Sequence, residues 1–297
     1  MKKILFDKFK DRPAIILEND GTKITVLPFD GGKIVSLTLD RFEFLEQAPG
    51  DKYCQLAYNG DYILSECSAW DDMFPTIDPY TLKIGERKYY YPDHGEISRL
   101  PLTYEIESDR ARLFVKTYGL PFIWKKEICF ADEGFIIRYS ITNEGKETLP
   151  FIWAAHCMLA GSDDLKIETS YSEPHKIEYM FGAKSGDNCP IDRLMGKSKE
   201  GKSYKYYYTE PMPYGMVKGT YVSIGKEIKF VFDKNKVPYL GVWLNNGSFK
   251  DMYNIAMEIA TAPYDRPDKA GKRCSKLKSG EEIAFDIEIQ LKNLKGE

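Results

Sequence analysis

EEIAFDIEIQL, residues 281–291, alternates without a break. Ile283, Phe285, Ile287, Ile289 and Leu291 are apolar, and Ala284, Asp286, Glu288 and Gln290 stand between them. Successive side chains of a strand point to opposite faces, so a period of two gives one greasy face and one mostly polar face. That is the pattern of a half-buried β-strand. KEIKFVFD repeats it with Ile228, Phe230 and Phe232, and GFIIRYSIT with Phe135, Ile137, Tyr139 and Ile141. Shorter runs of the same kind are AIILE, KITVLP, KIVSLTL, ARLFVKTY, TYVSIG, YLGVWLN and NIAMEIA.

Turn chemistry separates these runs. NDGT at 19–22, ADEG at 131–134, NEGK at 143–146 and IGKE at 224–227 read as hairpin turns. No amphipathic helical segment exceeds about three turns, and short helical turns fit only near 47–57 or 190–196. Many short strands joined by tight turns predict an all-β chain, folded as a large antiparallel β-sandwich. Neither a linker nor an internal repeat divides the sequence, so residues 1–297 are expected to form a single sandwich domain. The polar stretch 183–206 reads as a long surface loop.

Of the 297 residues, 43 % are apolar, enough for a sizeable core, and 29 % are charged. The formal net charge is −3, which gives no electrostatic reason for a nucleic acid or anionic membrane partner. A neutral, hydroxyl-rich small molecule fits better. The 21 Tyr, 16 Phe and 4 Trp suit strands and core, and aromatic faces also stack on sugar rings. Cys54, Cys67, Cys129, Cys157, Cys189 and Cys274 show no C-x-x-C pair and no zinc spacing. They read as reduced structural thiols, with no metal and no cofactor implied. The N-terminus MKKILFDKFKD returns to charge at Asp7 and Lys8, before a signal-peptide stretch could form. No run approaches the ~18 apolar residues of a membrane helix. The expected location is the cytoplasm, with the chain a monomer or homodimer.

Three histidines are present. His156 lies in the apolar strand-like run LPFIWAAHCMLA, where alternation places it on one face with Ile152 and Ala154. It reads either as a core histidine bonded to a backbone carbonyl or as a functional group with room beside it. Glu258 lies in NIAMEIATAPYD, with Ala256 two residues back on the same face. A carboxylate in an apolar strand is costly unless paired or functional. It reads either as half of a structural salt bridge or as a general base whose pKa burial has raised. His94, in YYYPDHGEISRL, sits at a turn, where both a functional and a merely exposed side chain occur. His175, in YSEPHKIEY, reads as a surface residue.

The order His94-Gly95, His156, Glu258 on an all-β chain of this size resembles the aldose 1-epimerase, or galactose mutarotase-like, family. GGKIVSL at 31–37 resembles that family's early strand, and MEIATAP its glutamate strand and the loop after it. SAWDDMFPTID at 68–78 is similar to a bacterial branch of the family. The likeness covers nearly the whole chain in order. There are departures. Arg99 falls five residues after His94, whereas the hexose-6-phosphate branch carries His-Gly-x-x-Arg. The family's Asn and Arg near the first motif have no counterpart, and Trp70, Asp71 and Asp72 occupy that region.

The resemblance implies anomer interconversion of an aldose without a cofactor. Glu258 would be the base, His156 the acid across a cleft about one sugar ring wide, and His94 a hydrogen-bonding partner for the sugar oxygens. It points to Asp192 as a substrate-binding aspartate. Sugar contacts are also expected from Trp70, Asp72, Arg99 and Trp243, although Trp243 equally reads as core and Asp72 as a turn cap. Two other classes compete: a non-catalytic sugar-binding protein of the same fold, and a sugar lyase or hydrolase with an accessory sandwich.

Overall fold

The computed structural model describes residues 1–172, 176–182 and 201–294. Two antiparallel sheets dominate. The larger has eleven strands, whose central neighbours are Trp70–Met73, Ala154–Ala160, Tyr253–Ala260, Tyr239–Asn246 and Lys202–Tyr208 in that spatial order. The second has eight strands and is centred on Glu282–Asn293, flanked by Gly134–Asn143 and Lys226–Phe232. The decisive alternation behaves as read: Phe285, Ile287, Ile289 and Leu291 are buried and their intervening neighbours are not. Their faces meet the inner side of the larger sheet in one apolar cluster, which draws Ile15, Leu37, Trp70 and Ile255 together with Leu113, Trp124, Ile137 and Phe285. This is a β-sandwich, as expected.

The turns at 19–22, 131–134 and 224–227 close hairpins. NEGK does not. After Asn143 the chain leaves its sheet for the short strand Leu149–Phe151, which pairs instead with Ser275–Leu277. TYVSIG is a strand only to Tyr221. Residues 47–57 hold no helix; a 3₁₀ turn forms a little later, at Tyr62–Leu64, capped by Asp61. The loop expected over 183–206 is corrected at its end. Lys202–Tyr208 is a strand inside the larger sheet, its Ser203, Lys205 and Tyr207 alternating with Tyr204, Tyr206 and Tyr208. Residues 183–200, with Cys189, Asp192 and the region 190–196, lie outside the described residues, as does His175.

Among the described residues the five cysteines are unpaired. No helix there is long and apolar enough to cross a membrane.

Candidate active site

Two central strands of the larger sheet carry the key groups on their outward face. In Ala154–Ala160, Ala155, Cys157 and Leu159 turn into the shared core, which leaves His156 and Met158 on the other side. In Tyr253–Ala260, Ile255, Met257 and Ile259 turn inward, which leaves Asn254, Ala256 and Glu258 outward. The strands pair with Ala154 opposite Ala260 and Met158 opposite Ala256. That register sets His156 against Glu258, and His156 Nε2 stands 3.6 Å from Glu258 Oε1. The expectation of two groups facing each other across a ring-wide cleft is thereby corrected: they are side-by-side neighbours on one sheet.

On its other flank Glu258 pairs with Gly241, and Gly241 pairs in turn with Tyr207. A Cβ at Gly241 would come within 2.5 Å of Tyr207 Cε1 and 3.0 Å of Glu258 Oε2. Glycine is what lets the carboxylate lie over this strand. Lys205 reaches in from the next strand, its Nζ 2.5 Å from Glu258 Oε2 and 3.2 Å from Asp265 Oδ1. The Tyr207 hydroxyl donates to Asp265 Oδ1 at 2.5 Å. The Asp265 carbonyl accepts from the amides of Ile77 and Asp78, which ties the loop after the Glu258 strand to the approach to His94.

His94 enters from the turn that follows the strand Arg87–Tyr91. Its φ of +53° and the φ of +77° at Gly95 make a left-handed turn. A Cβ on Gly95 would lie 2.3 Å from the Phe74 carbonyl oxygen, so only glycine fits. The imidazole stacks on Tyr62, with centroids 3.8 Å apart and planes 5° from parallel, and meets His156 edge-on at 6.1 Å. Its Nδ1 lies 3.0 Å from Asp93 Oδ1. The Tyr62 hydroxyl donates to Asp71, which also receives Lys33 Nζ. Tyr62, His94, His156, Lys205, Asp265 and Trp243 line a cavity of about 360 Å³. Glu258 has no exposed surface and lies just beneath.

Burial drives the electrostatics. It holds the pKa of His156 well below the usual imidazole value, and the charges of His94, Lys205 and Lys33 push the same way. It raises Glu258; Lys205 works against that rise and Asp265 adds to it. For Lys205 burial opposes the charge, but Asp265 and Glu258 outweigh it and its pKa ends above the ordinary lysine value. The site thus joins a histidine that gives up its proton more readily than usual to a carboxylate more basic than usual, beside a lysine that holds its charge. His156 Nδ1, Glu258 Oε1 and Asn254 Oδ1 are buried without a hydrogen-bond partner among the described residues. His156 and Asn254 line the cavity and Glu258 lies beneath it, so the three unpartnered atoms cluster at one place in the fold.

The other expected sugar contacts divide. Trp243 lines the cavity. Trp70 and Asp72 do not, and the reason is strand parity: in Trp70–Met73 they face the core. Trp70 packs edge-on against Phe230, and Asp72 is sealed between the sheets by Lys126 and Tyr139. The residue between them, Asp71, faces the site and pairs in register with His156. Arg99 is also placed away from the cavity wall. Its guanidinium is spent on the backbone carbonyls of Ala57, Tyr58, Gly60, Asp93 and Gly95, so it braces the loop that presents His94. Lys205, Asp265, Tyr207 and Asn254 went unread in the sequence. The alternation within KSYKYYY was the available signal for Lys205. Among the described residues no group of three or more His, Cys, Asp or Glu is arranged to hold a metal ion.

No family model matches the chain, and no curated protein matches it. Solved structures do. The Slr1438 protein from Synechocystis superposes with a TM-score of 0.74 at 16 % identity, covering 97 % of this chain and 99 % of that one. A galactose mutarotase-like protein from Lactobacillus casei gives 0.70 at 15 %, covering 94 % and 100 %. Another from Clostridium acetobutylicum gives 0.68 at 16 %, covering 99 % of both. At these identities the likeness is one of fold: this chain has the galactose mutarotase-like β-sandwich.

Proposed function

We propose that this chain is an aldose 1-epimerase, an isomerase that interconverts the α and β anomers of a sugar held in the His94–His156–Lys205 cavity. The observation that carries the reading is the His156–Glu258 pair. Two ionisable groups lie 3.6 Å apart, each with an unpartnered buried atom, His156 in the cavity wall and Glu258 just beneath it, on a mutarotase-like fold.

Anomer exchange needs a proton taken from the C1 hydroxyl and one delivered to the ring oxygen as the C1–O5 bond breaks. The aldehyde then turns about C1–C2, and closure runs the same steps backwards. Glu258 takes the first proton and His156 gives the second; on closure the roles reverse. Burial makes the carboxylate more basic and the imidazolium more acidic, which favours both transfers. Closure with the roles reversed returns the pair to its starting state each cycle. His94, held by its stack on Tyr62, hydrogen-bonds the sugar oxygens. Lys205 keeps a positive charge beside Glu258, countering the cost of its burial.

The test is polarimetry on freshly dissolved α-anomers of an aldose panel, with and without the protein. Accelerated decay of rotation supports the reading. A second reading, a carbohydrate-binding protein without catalysis, is favoured by one observation: Glu258 is wholly shielded and tied to Lys205 as a structural ion pair would be. Saturable sugar binding with no change in the decay rate selects that reading instead.

A further inference from the structure

We infer that the cavity carries a second sugar subsite, formed by Trp243, Phe249 and Asn254, and that its ligand is a reducing disaccharide or longer glycan rather than a lone aldose. The inference takes its first ring from the aldose reading above.

The sheet floor has a direction. Glu258, Ala256 and Asn254 follow one another on the outward face of one strand, and on its neighbour Gly241, Trp243 and Asn245 stand opposite them in that order. Four residues of strand separate Glu258 from Asn254, a run of ~13 Å. One pyranose ring placed against His156 does not reach the far end. Ala256, midway, adds only a methyl group, so no side chain of that strand divides the floor in two.

The half of the floor away from Glu258 is built as a receptor. Trp243, opposite Ala256, and Phe249 both line the cavity, with ring centroids 5.2 Å apart and planes at 61°. Phe249 is fixed before any ligand arrives: Asn245 Nδ2 donates to its carbonyl at 2.9 Å, and Asn245 Oδ1 accepts from its amide at 3.2 Å. Such preorganisation removes part of the ordering cost of binding. Beside them Asn254 lines the same cavity at 1 % exposure, its Oδ1 with no hydrogen-bond partner. The buried acceptor calls for a donor from the ligand, and the aromatic rings call for an apolar face. A pyranose supplies both at once, with C–H groups on its faces and hydroxyls around its edge.

Calorimetric titration of the intact chain with glucose and galactose, against maltose, cellobiose and lactose, tests this. At least one disaccharide should bind about tenfold or more tightly than its reducing-end monosaccharide. Phe249→Ala and Asn254→Ala should each shrink that ratio. The wild-type comparison does not depend on either variant folding. Equal affinity for both sugar sizes overturns the subsite, even if the protein anomerises aldoses. A disaccharide preference without anomer exchange upholds the subsite and places the failure in the catalytic reading. Absence of binding by all five sugars overturns both.

Discussion

Lys205 Nζ sits 2.5 Å from Glu258 Oε2, a buried cation clamped to a carboxylate with no exposed surface. The pair explains how an acidic side chain persists in the middle of NIAMEIA. Burial alone favours the neutral acid, and the ammonium group restores the balance toward the anion.

A first prediction follows from that balance. If Glu258 must be ionised to accept a proton, activity falls on the acid side as Glu258 protonates. Lys205→Met removes the charge that lowers the pKa of Glu258. The acid limb of the pH–rate profile should move to higher pH, and Lys205→Arg should restore part of the shift. An unmoved limb would show that Lys205 only packs.

A second prediction concerns stability and pH. The pKa of His156 is lowered on folding, so below the ordinary imidazole value of 6.5 the unfolded chain takes up a proton that the folded one resists. Stability is therefore lost as pH falls through this range. Urea midpoints at pH values on either side of 6.5 should show a smaller acid-side loss in His156→Gln than in the parent.

A third prediction separates core from site. Asp72 and Lys126 are both fully buried, with Oδ2 and Nζ 2.7 Å apart. Asp72→Asn leaves the ammonium group without its counter-charge and should cost about 3–5 kcal/mol of stability. Replacing both residues with apolar ones of similar volume should recover most of that loss. Sugar affinity of whatever folds should be unchanged, because neither side chain lines the cavity.

A fourth prediction concerns Gly95. Its positive φ and its contact with the Phe74 carbonyl exclude a side chain. Gly95→Ala should lower stability by about 2 kcal/mol or more and displace His94 from Tyr62. A thermal melt that matches the parent would contradict this.

What was legible in the sequence follows the range of each signal. A period of two is local, so the strands through Phe285, Phe230 and Ile137 were readable. An ionisable residue in an apolar run stands out, so Glu258 and His156 were readable too. Which face of WDDM meets the site was not, because parity depends on the neighbouring strand; the one-residue difference between Asp71 and Asp72 reverses the answer. Arg99 is charged and close to His94 in sequence, but the carbonyls of Ala57, Tyr58 and Gly60, which take much of its guanidinium, come from a loop some forty residues earlier. Lys205 was hidden by the polar stretch before it. Asp265 lay between two prolines, Pro263 and Pro267, in a segment with no period to read.

Proton transfer by two adjacent groups is measured most directly by the anomer-exchange rate of the parent, Glu258→Gln and His156→Ala on one sugar that the parent accelerates. Loss of either group should slow exchange by roughly 10²-fold or more, with circular dichroism spectra retained. Full rates in both folded variants would contradict it.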